Sequence, residues 1–303
     1  MKYVGVIVTY NRKKLLLENL KMLANQTFLL DKILIIDNHS TDGTQQLVQE
    51  TFSGKESWID YRYLSENTGG AGGFYYGVKY ACETGADFIY LMDDDGKAYN
   101  NQTVEVIVEM SKKLYADNPL LFLNSLVTID GKRLSFGFWK NISIERQNGI
   151  MYEKAKNGLL LGKANPFNGT LISKELVAEI GYPRKEFFMS RDETDYMRRS
   201  MQVNALVATV IHSIYQHPAS KLGRKKILGY SVPIHTDLDK EYYGLRNAVY
   251  TYKNMSTKQV VLLCIERMLA IIFFENHKLV RIRQLRQAVS DAKNENMGKR
   301  KQR

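Results

Sequence analysis

The stretch YVGVIVTYNRKKLLLENLKMLANQ, residues 3–26, changes its hydrophobic period at Asn11 and Arg12. Residues 3–10 are a nearly unbroken apolar run, the pattern of a strand buried on both faces. Residues 13–26 repeat leucines at the three-and-four spacing of a helix. The alternation recurs along the next seventy residues. KILIID (32–37) reads as a strand, TDGTQQLVQETF (41–52) as a helix capped near Ser40 or Thr41, and IDYRYLS (59–65) as a strand. GGFYYGVKYACETG (72–85) reads as a helix closed by Gly85, and DFIYLMDDD (87–95) as a fourth strand. Short strands alternating with helices predict an α/β fold with a mostly parallel central sheet flanked by helices. Such sheets bind ligands beyond the carboxyl ends of their strands. TYNR, DNHSTDG, ENTGGAGG and DDDGK each follow a strand, so four loops are expected to meet at one site.

The middle of the chain is less regular. LLFLNSLVT (120–128) and RLSFGFW (133–139) read as strands, NPFNGT (165–170) as a turn, and 173–180 as a helix. FFMSRDETDYMRRSM (187–201) is read as passing from a strand end into a helix, and ALVATVIHSIYQHP (205–218) as a strand and its exit. From Glu241 the chain is expected to be mostly helical.

The 303 residues carry a net charge of +11 with an ordinary globular share of apolar residues, 44%. Nine Lys/Arg against three Asp/Glu lie between Glu275 and Arg303, so most of the excess charge belongs to the C-terminal end. Neither zinc-finger spacing nor an RNA-binding sheet signature is present, which argues against nucleic acid. Two cysteines, Cys82 and Cys264, make no disulfide framework and fit a reducing cytoplasm. The apolar run at the N-terminus is too short for a signal peptide. Residues 260–274 are apolar but interrupted by Glu266 and Arg267, and too short for a span, which takes about 20 residues. Beyond them Leu279, Ile282, Leu285 and Val289 recur at helical spacing among Lys278, Arg281, Arg283 and Arg286. That pattern is expected to lie on an anionic membrane surface, with packing on the catalytic domain or on a second subunit as the alternative.

Three adjacent carboxylates, Asp93, Asp94 and Asp95, repel one another at a partly desolvated strand end. A divalent cation among them reverses that cost, and oxygen ligands suit Mg2+ or Mn2+ held jointly with substrate phosphates. An acidic turn is the competing explanation, and position at the binding edge favours the metal. The glycines of ENTGGAGG let a backbone approach a ligand and lead into a helix N-terminus, which favours phosphate. They are no dinucleotide fingerprint, because Tyr75 stands where the third glycine is required. Asp37 stands where a carboxylate can accept hydrogen bonds from a base or ribose. Ser40, Thr41 and Asp42 read as capping residues.

VIVTYNR (6–12), IIDNHSTDGT (35–44), NTGGAGGF (67–74) and LMDDDG (91–96), in that order, resemble the family 2 inverting glycosyltransferases of the GT-A fold. NTGGAGGF most resembles the branch of rhamnosyl- and galactofuranosyltransferases that build cell-surface polysaccharides. The resemblance implies a GT-A catalytic domain over residues 1–220, with a nucleotide-sugar half (1–100) and an acceptor half (101–220), followed by a helical region, 221–303. Thr9, Tyr10, Asn11 and Arg12 would line the base, Asp37 would contact base or ribose, and Asn67, Gly70 and Gly72 would border the nucleotide-sugar. Asp93 and Asp95 match the D-x-D positions that meet ribose, metal and diphosphate, with Asp94 sharing that role. His217 matches a histidine completing the metal site. His212, five residues earlier, is read as core or surface. Asp192 and Glu193 occupy the acidic pair that supplies the catalytic base. Glu193 replaces the Asp of most relatives and Arg191 a common Trp, so the base stays open between Glu193 and Asp192. Arg246 and Asn247 belong to a late motif, structural or near the diphosphate.

The chemistry asks for the same residue types. A diphosphate leaving group needs positive charge beside it, and an attacking hydroxyl needs a carboxylate to take its proton. The expected activity is metal-dependent, inverting transfer of galactofuranose or rhamnose from a UDP- or dTDP-sugar to a glycan or lipid-linked acceptor, at the inner face of the cell membrane. A nucleotidyltransferase and a non-catalytic scaffold are the competing readings.

Overall fold

A computed structural model describes the chain except residues 55–56, 140–141, 220–222, 228–229, 254–255 and 301–303. The first half follows the expected alternation: β1 (Tyr3–Thr9), α1 (Lys13–Ala24), β2 (Lys32–Asp37), α2 (Thr44–Thr51), β3 (Ile59–Tyr63), α3 (Gly69–Glu83) and β4 (Phe88–Asp93). β5 (Lys97–Ala98), α4 (Thr103–Tyr115), β6 (Leu121–Thr128), α5 (Ile144–Lys154), β7 (Leu159–Leu161), β8 (Thr170–Ser173), α6 (Lys174–Ile180), α7 (Asp192–Gln202) and β9 (Leu206–Gln216) complete the sheet and its cover. A hairpin, β10 (Gly223–Ile227) and β11 (Tyr230–Ile234), leads into α8 (Leu238–Lys253), α9 (Thr257–Phe274) and α10 (Lys278–Lys293).

The main sheet runs β3-β2-β1-β4-β8-β6-β9-β5, with β7 on β9. β3, β2, β1 and β4 are parallel, and their ends align: Thr9 pairs with Asp37, Asp37 with Tyr63, and Val8 with Asp93. The second half is mixed. β8 runs antiparallel to β4 and β6, and β5 and β7 antiparallel to β9, so "mostly parallel" holds only for the β3-β2-β1-β4 half. Alternate residues of each strand feed opposite faces. Ile7, Ile33, Ile35, Tyr90 and Met92 pack with leucines of α1 and with α4, whereas Val6, Val8, Leu34, Ile36 and Leu91 pack with α3, α6 and α7.

Several local expectations are corrected. The glycine-rich stretch is not a loop before a helix but the first turns of α3, which begins at Gly69 rather than 72. A Cβ on Gly73 would stand 2.3 Å from Val8 Cγ1, and one on Gly77 2.3 Å from Val6 Cγ1, so this spacing of four lets α3 lie directly on β1. α2 starts only at Thr44, because Thr41 and Asp42 are held in the loop by Asn11 and Lys13. RLSFGFW forms no strand. Leu134 makes one bridge to Thr128, and no neighbouring edge among the described residues takes up the rest. A 3-10 turn (Lys185–Phe187), not a strand, precedes α7. α4 and α5 had no counterpart in the sequence reading.

The amphipathic face expected of α10 is also revised. Arg281 is buried while Leu279 is 80% exposed, and Leu285 is buried with Ala288 against α8. Exposed apolar side chains instead run along α9, at Val261, Leu262, Ile265, Ile272 and Phe273. No helix among the described residues is long and apolar enough to cross a membrane.

Candidate active site

The loops after β1, β2 and β4 are tied together by their own polar side chains. Asn11, in the left-handed region, donates its N–H to Ser40 Oγ (2.8 Å) and accepts from the Thr41 N–H (2.7 Å). Asp94 is 5% exposed, and both its oxygens are occupied. Thr9 Oγ1 and Arg12 donate to it at 2.9 Å, and the Tyr10 N–H at 3.4 Å. Asp94 is therefore a tether between the first and fourth loops rather than a group free to meet a nucleotide. Arg12 also pairs with Asp95 at 2.9 Å, so its guanidinium is held against the acidic triplet. Of the four residues from Thr9 to Arg12, Thr9 is buried and Tyr10 presents an exposed ring, 45% accessible, at the sheet edge.

Asp37 is fully buried. One oxygen accepts from the Ser40 N–H at 2.7 Å and the other from the Tyr61 hydroxyl. In this arrangement it braces the second loop, and a base reaches it only if Tyr61 swings aside. Asn67 caps α3 by accepting the Gly69 N–H (2.8 Å), and the Ala71 N–H is taken by the Phe188 carbonyl (3.1 Å). The start of α3 is thus largely satisfied by protein. Gly70 stays open, with nothing within 4 Å of the place of a Cβ. Gly72 is buried, where a Cβ would strike Thr68, so its expected place beside the ligand is not borne out. Gly69 has φ +73° and would drive a Cβ to 1.8 Å from the Phe188 carbonyl, so only glycine fits there.

Asp93 is the last residue of β4. Burial first, then repulsion from Asp95 and Asp94, pushes its carboxyl up to about 8. Asp95 goes the other way: burial opposes ionisation, but His217 and Arg12 outweigh it and hold the carboxyl below its usual range. His217 Nε2 stands 3.1 Å from Asp95 Oδ1 while Nδ1 donates to the Pro218 carbonyl at 2.8 Å. Burial disfavours the charged ring, yet the Asp95 bond raises its pKa overall. The sheet explains how His217 arrives there. A register jump in the β6–β9 ladder after Ser125 carries the end of β9 across to β5, where Gln216 pairs with Lys97, two residues beyond Asp95. Of the expected set Asp93, Asp95 and His217, only Asp95 and His217 are in direct contact, and among the described residues no three such side chains converge at metal-binding distances. His212 is exposed, close to Gly158.

Asp192 and Glu193 open the first turn of α7. Asp192 is buried, and burial together with neighbouring Glu193 raises it well above the carboxylate range. Glu193 adds to the rise at Asp93, and Asp93 to the rise at Asp192, so the acidic pair lies near the end of β4. Asp195 plays a structural part, bound to Arg184 (3.1 Å) and Arg199 (3.0 Å).

The backbone leading into this pair is strained. Phe188, Ser190 and Arg191 all have positive φ, a conformation that persists only when its surroundings enforce it. The enforcement comes from α8. Asn247, fully buried, donates to the carbonyls of Phe187 (3.0 Å), Met189 (3.0 Å) and Ser190 (2.8 Å). Arg246, 1% exposed, donates to those of Glu186 (3.2 Å), Phe187 (3.0 Å) and Gly298 (2.7 Å). The late motif is therefore structural. Asn247→Ala is expected to leave buried carbonyls unpaired and cost about 2–3 kcal/mol in thermal unfolding. Asn247→Asp should be no better, because a carboxylate has no N–H to donate.

The chain matches the family model described as Glycosyl transferase family 2 over residues 6–168. It is 28% identical to galactofuranosyltransferase GlfT1 of Mycobacterium tuberculosis over 261 residues, covering 85% of this chain and 84% of that protein. It is 28% identical to dTDP-rhamnosyl transferase RfbF of Shigella flexneri over 255 residues, 80% of this chain and 77% of that one. Among solved structures, S. aureus TarS 1–349 in complex with UDP-GlcNAc aligns with a TM-score of 0.59 at 16% identity, covering 96% of this chain and 80% of the other. The Pyrobaculum calidifontis mannosyltransferase PcManGT, in complex with GDP-Man and Mn2+, aligns with a TM-score of 0.54 at 11% identity, covering 97% and 86%. The architecture is that of GT-A glycosyltransferases, and the chain belongs to glycosyl transferase family 2.

Proposed function

We propose that the protein is a metal-dependent, inverting glycosyltransferase that moves galactofuranose or rhamnose from a UDP- or dTDP-sugar to a growing glycan. The observation that carries this reading is the acidic pair at the start of α7 lying near enough to Asp93 for their charges to interact. The two relatives at 28% identity, one galactofuranosyl- and one rhamnosyltransferase, support the choice of sugar. Family membership removes the nucleotidyltransferase, and an intact acidic pair near Asp93 speaks against a scaffold.

The residues fit a cation. Asp93 is a poorly compensated carboxylate held beside Asp95 and His217, a donor set of oxygens and one imidazole that suits Mn2+ or Mg2+ shared with phosphates. When bound, such an ion supplies positive charge against the departing diphosphate. Tyr10 offers a ring face to the base. Glu193 is the better base of the pair, because it is part-exposed and open to an incoming hydroxyl, whereas Asp192 is buried and its carboxyl is raised by burial and by Glu193. Glu193 takes the proton of the acceptor hydroxyl while that oxygen attacks the anomeric carbon. The bond to the diphosphate oxygen breaks on the opposite face, inverting the centre, and the bonding pair leaves with the nucleotide.

The test is release of free UDP from UDP-galactofuranose, or of dTDP from dTDP-rhamnose, by the full chain with Mn2+. One donor is expected to be turned over, with loss of turnover in excess EDTA. No release from either sugar in the presence of a panel of glycoside acceptors would end the reading.

A further inference from the structure

A surface helix of a globular protein turns its polar residues outward, and α9 does not. Its inner face is ordinary. Arg267, Ala270 and Ile271 are buried, and Leu263, Cys264 and Met268 pack on the cluster around Tyr242 and Val249. Its outer face carries Val261, Leu262, Ile265, Ile272 and Phe273, each 44–59% exposed. These positions recur at three, four and seven residues, so they form one stripe, about 18 Å long at 1.5 Å per residue. Leu279 and Val280 follow, also exposed, where α10 begins. Single exposed apolar residues are normal, whereas a contiguous stripe marks a contact surface.

The charges around the stripe are of one sign. Lys258 is exposed and lies one turn before Val261 and Leu262 on the same side of the helix, and Lys278 is exposed just past the other end. β10 packs beside α9, with Lys225 Nζ 5.2 Å from the centre of the Phe274 ring, and Arg224, Lys225 and Lys226 are all exposed. Residues 223–234 contain no acid, and residues 256–290 contain only Glu266 and Glu275. Glu275 is buried and bound to Arg267 and Arg281. Glu266 opens instead on a cavity of about 710 Å3 that Glu193 also lines.

We propose that the outer face of α9, with the basic strand β10 beside it, docks the protein on the surface of an anionic lipid bilayer. Docking of this kind is independent of the transfer chemistry.

The helix lies in the interface rather than crossing it, because its inner face is pinned. Arg267 donates to Glu241 Oε1 (2.7 Å) and to the Pro233 carbonyl (3.1 Å), and pairs with Glu275. Drawing α9 into the hydrocarbon would break these pairs and leave buried ions uncompensated. Only the outer stripe is available, which is the shallow burial that an interfacial helix uses. The apolar side chains enter the acyl boundary, and the lysines reach the lipid phosphates, each strengthening the attachment. A second copy of this chain fits the stripe less well. A two-fold contact sets a patch against itself, so the cations that border it would meet cations. Lipid phosphates supply the missing sign.

The test is co-sedimentation of the full chain with vesicles of phosphatidylcholine alone and of phosphatidylcholine mixed with phosphatidylglycerol, at low salt. The wild type is expected to pellet with the mixed vesicles and far less with the neutral ones. Ile265→Gln/Phe273→Gln and, separately, Lys225→Glu/Lys226→Glu are each expected to weaken partition by about tenfold or more. Leu161→Gln, equally exposed but on β7, should change nothing. All these side chains are on the surface, so the melting temperature is expected to stay that of the wild type. Failure of the wild type to pellet with mixed vesicles, or full binding retained by both double variants, overturns the proposal. So does a lipid-free dimer in sedimentation velocity that Ile265→Gln/Phe273→Gln dissociates while no vesicle binding is seen, since the stripe is then a subunit interface. Vesicle binding lost in both double variants, without any donor turnover by the wild type, upholds the docking surface and sinks only the transferase chemistry.

Discussion

Glu193→Gln is expected to keep donor binding and to lose sugar transfer by about 10²–10⁴-fold, the usual contribution of a general base. The amide has the shape of the carboxylate and cannot take a proton. Glu193 stands at the start of α7, part-exposed and open to the cavity, so exchange for glutamine disturbs little packing. Asp192 provides the contrast. It is buried away from an incoming hydroxyl, and burial and Glu193 raise its carboxyl. Asp192→Asn should therefore cost less in the chemical step than Glu193→Gln. Steady-state rates with donor and glycoside acceptor decide the matter, and a larger loss at Asp192 would transfer the role to that residue.

Asp95→Ala should remove the thermal stabilisation that Mn2+ and a nucleoside diphosphate give together, a shift worth about 2.7 kcal/mol at a hundredfold excess over Kd. The substitution deletes one oxygen ligand and removes the carboxylate shared by His217 and Arg12, leaving Arg12 held by Asp94 alone. Transfer should fall by about 10³-fold or more. Asp94→Asn makes the informative comparison. Because Asp94 ties Thr9, Tyr10 and Arg12, its loss should lower the melting temperature while leaving a weakened Mn2+-dependent shift. A full shift retained by Asp95→Ala would place the cation elsewhere.

Asn247 shows why part of the site could not be found by pattern. Nothing in YYGLRNAVY says which carbonyls an asparagine sixty residues downstream will bind, and the left-handed residues it supports have no glycine to announce them. The glycines of ENTGGAGG meet the same limit. Composition marks a close approach without saying to what, and the approach proves to be to Val8 and Phe188.

What the sequence alone determined was the order of strands and helices through β4 and the gathering of four loops at one edge. Both follow from hydrophobic period and chain reversal, which act over a few residues. The tertiary structure decided which acid does what. Asp94 became a tether through Thr9 and Arg12, more than eighty residues away, and Asp93 and Asp192 became hard to ionise because the fold buries each beside a neighbouring carboxylate.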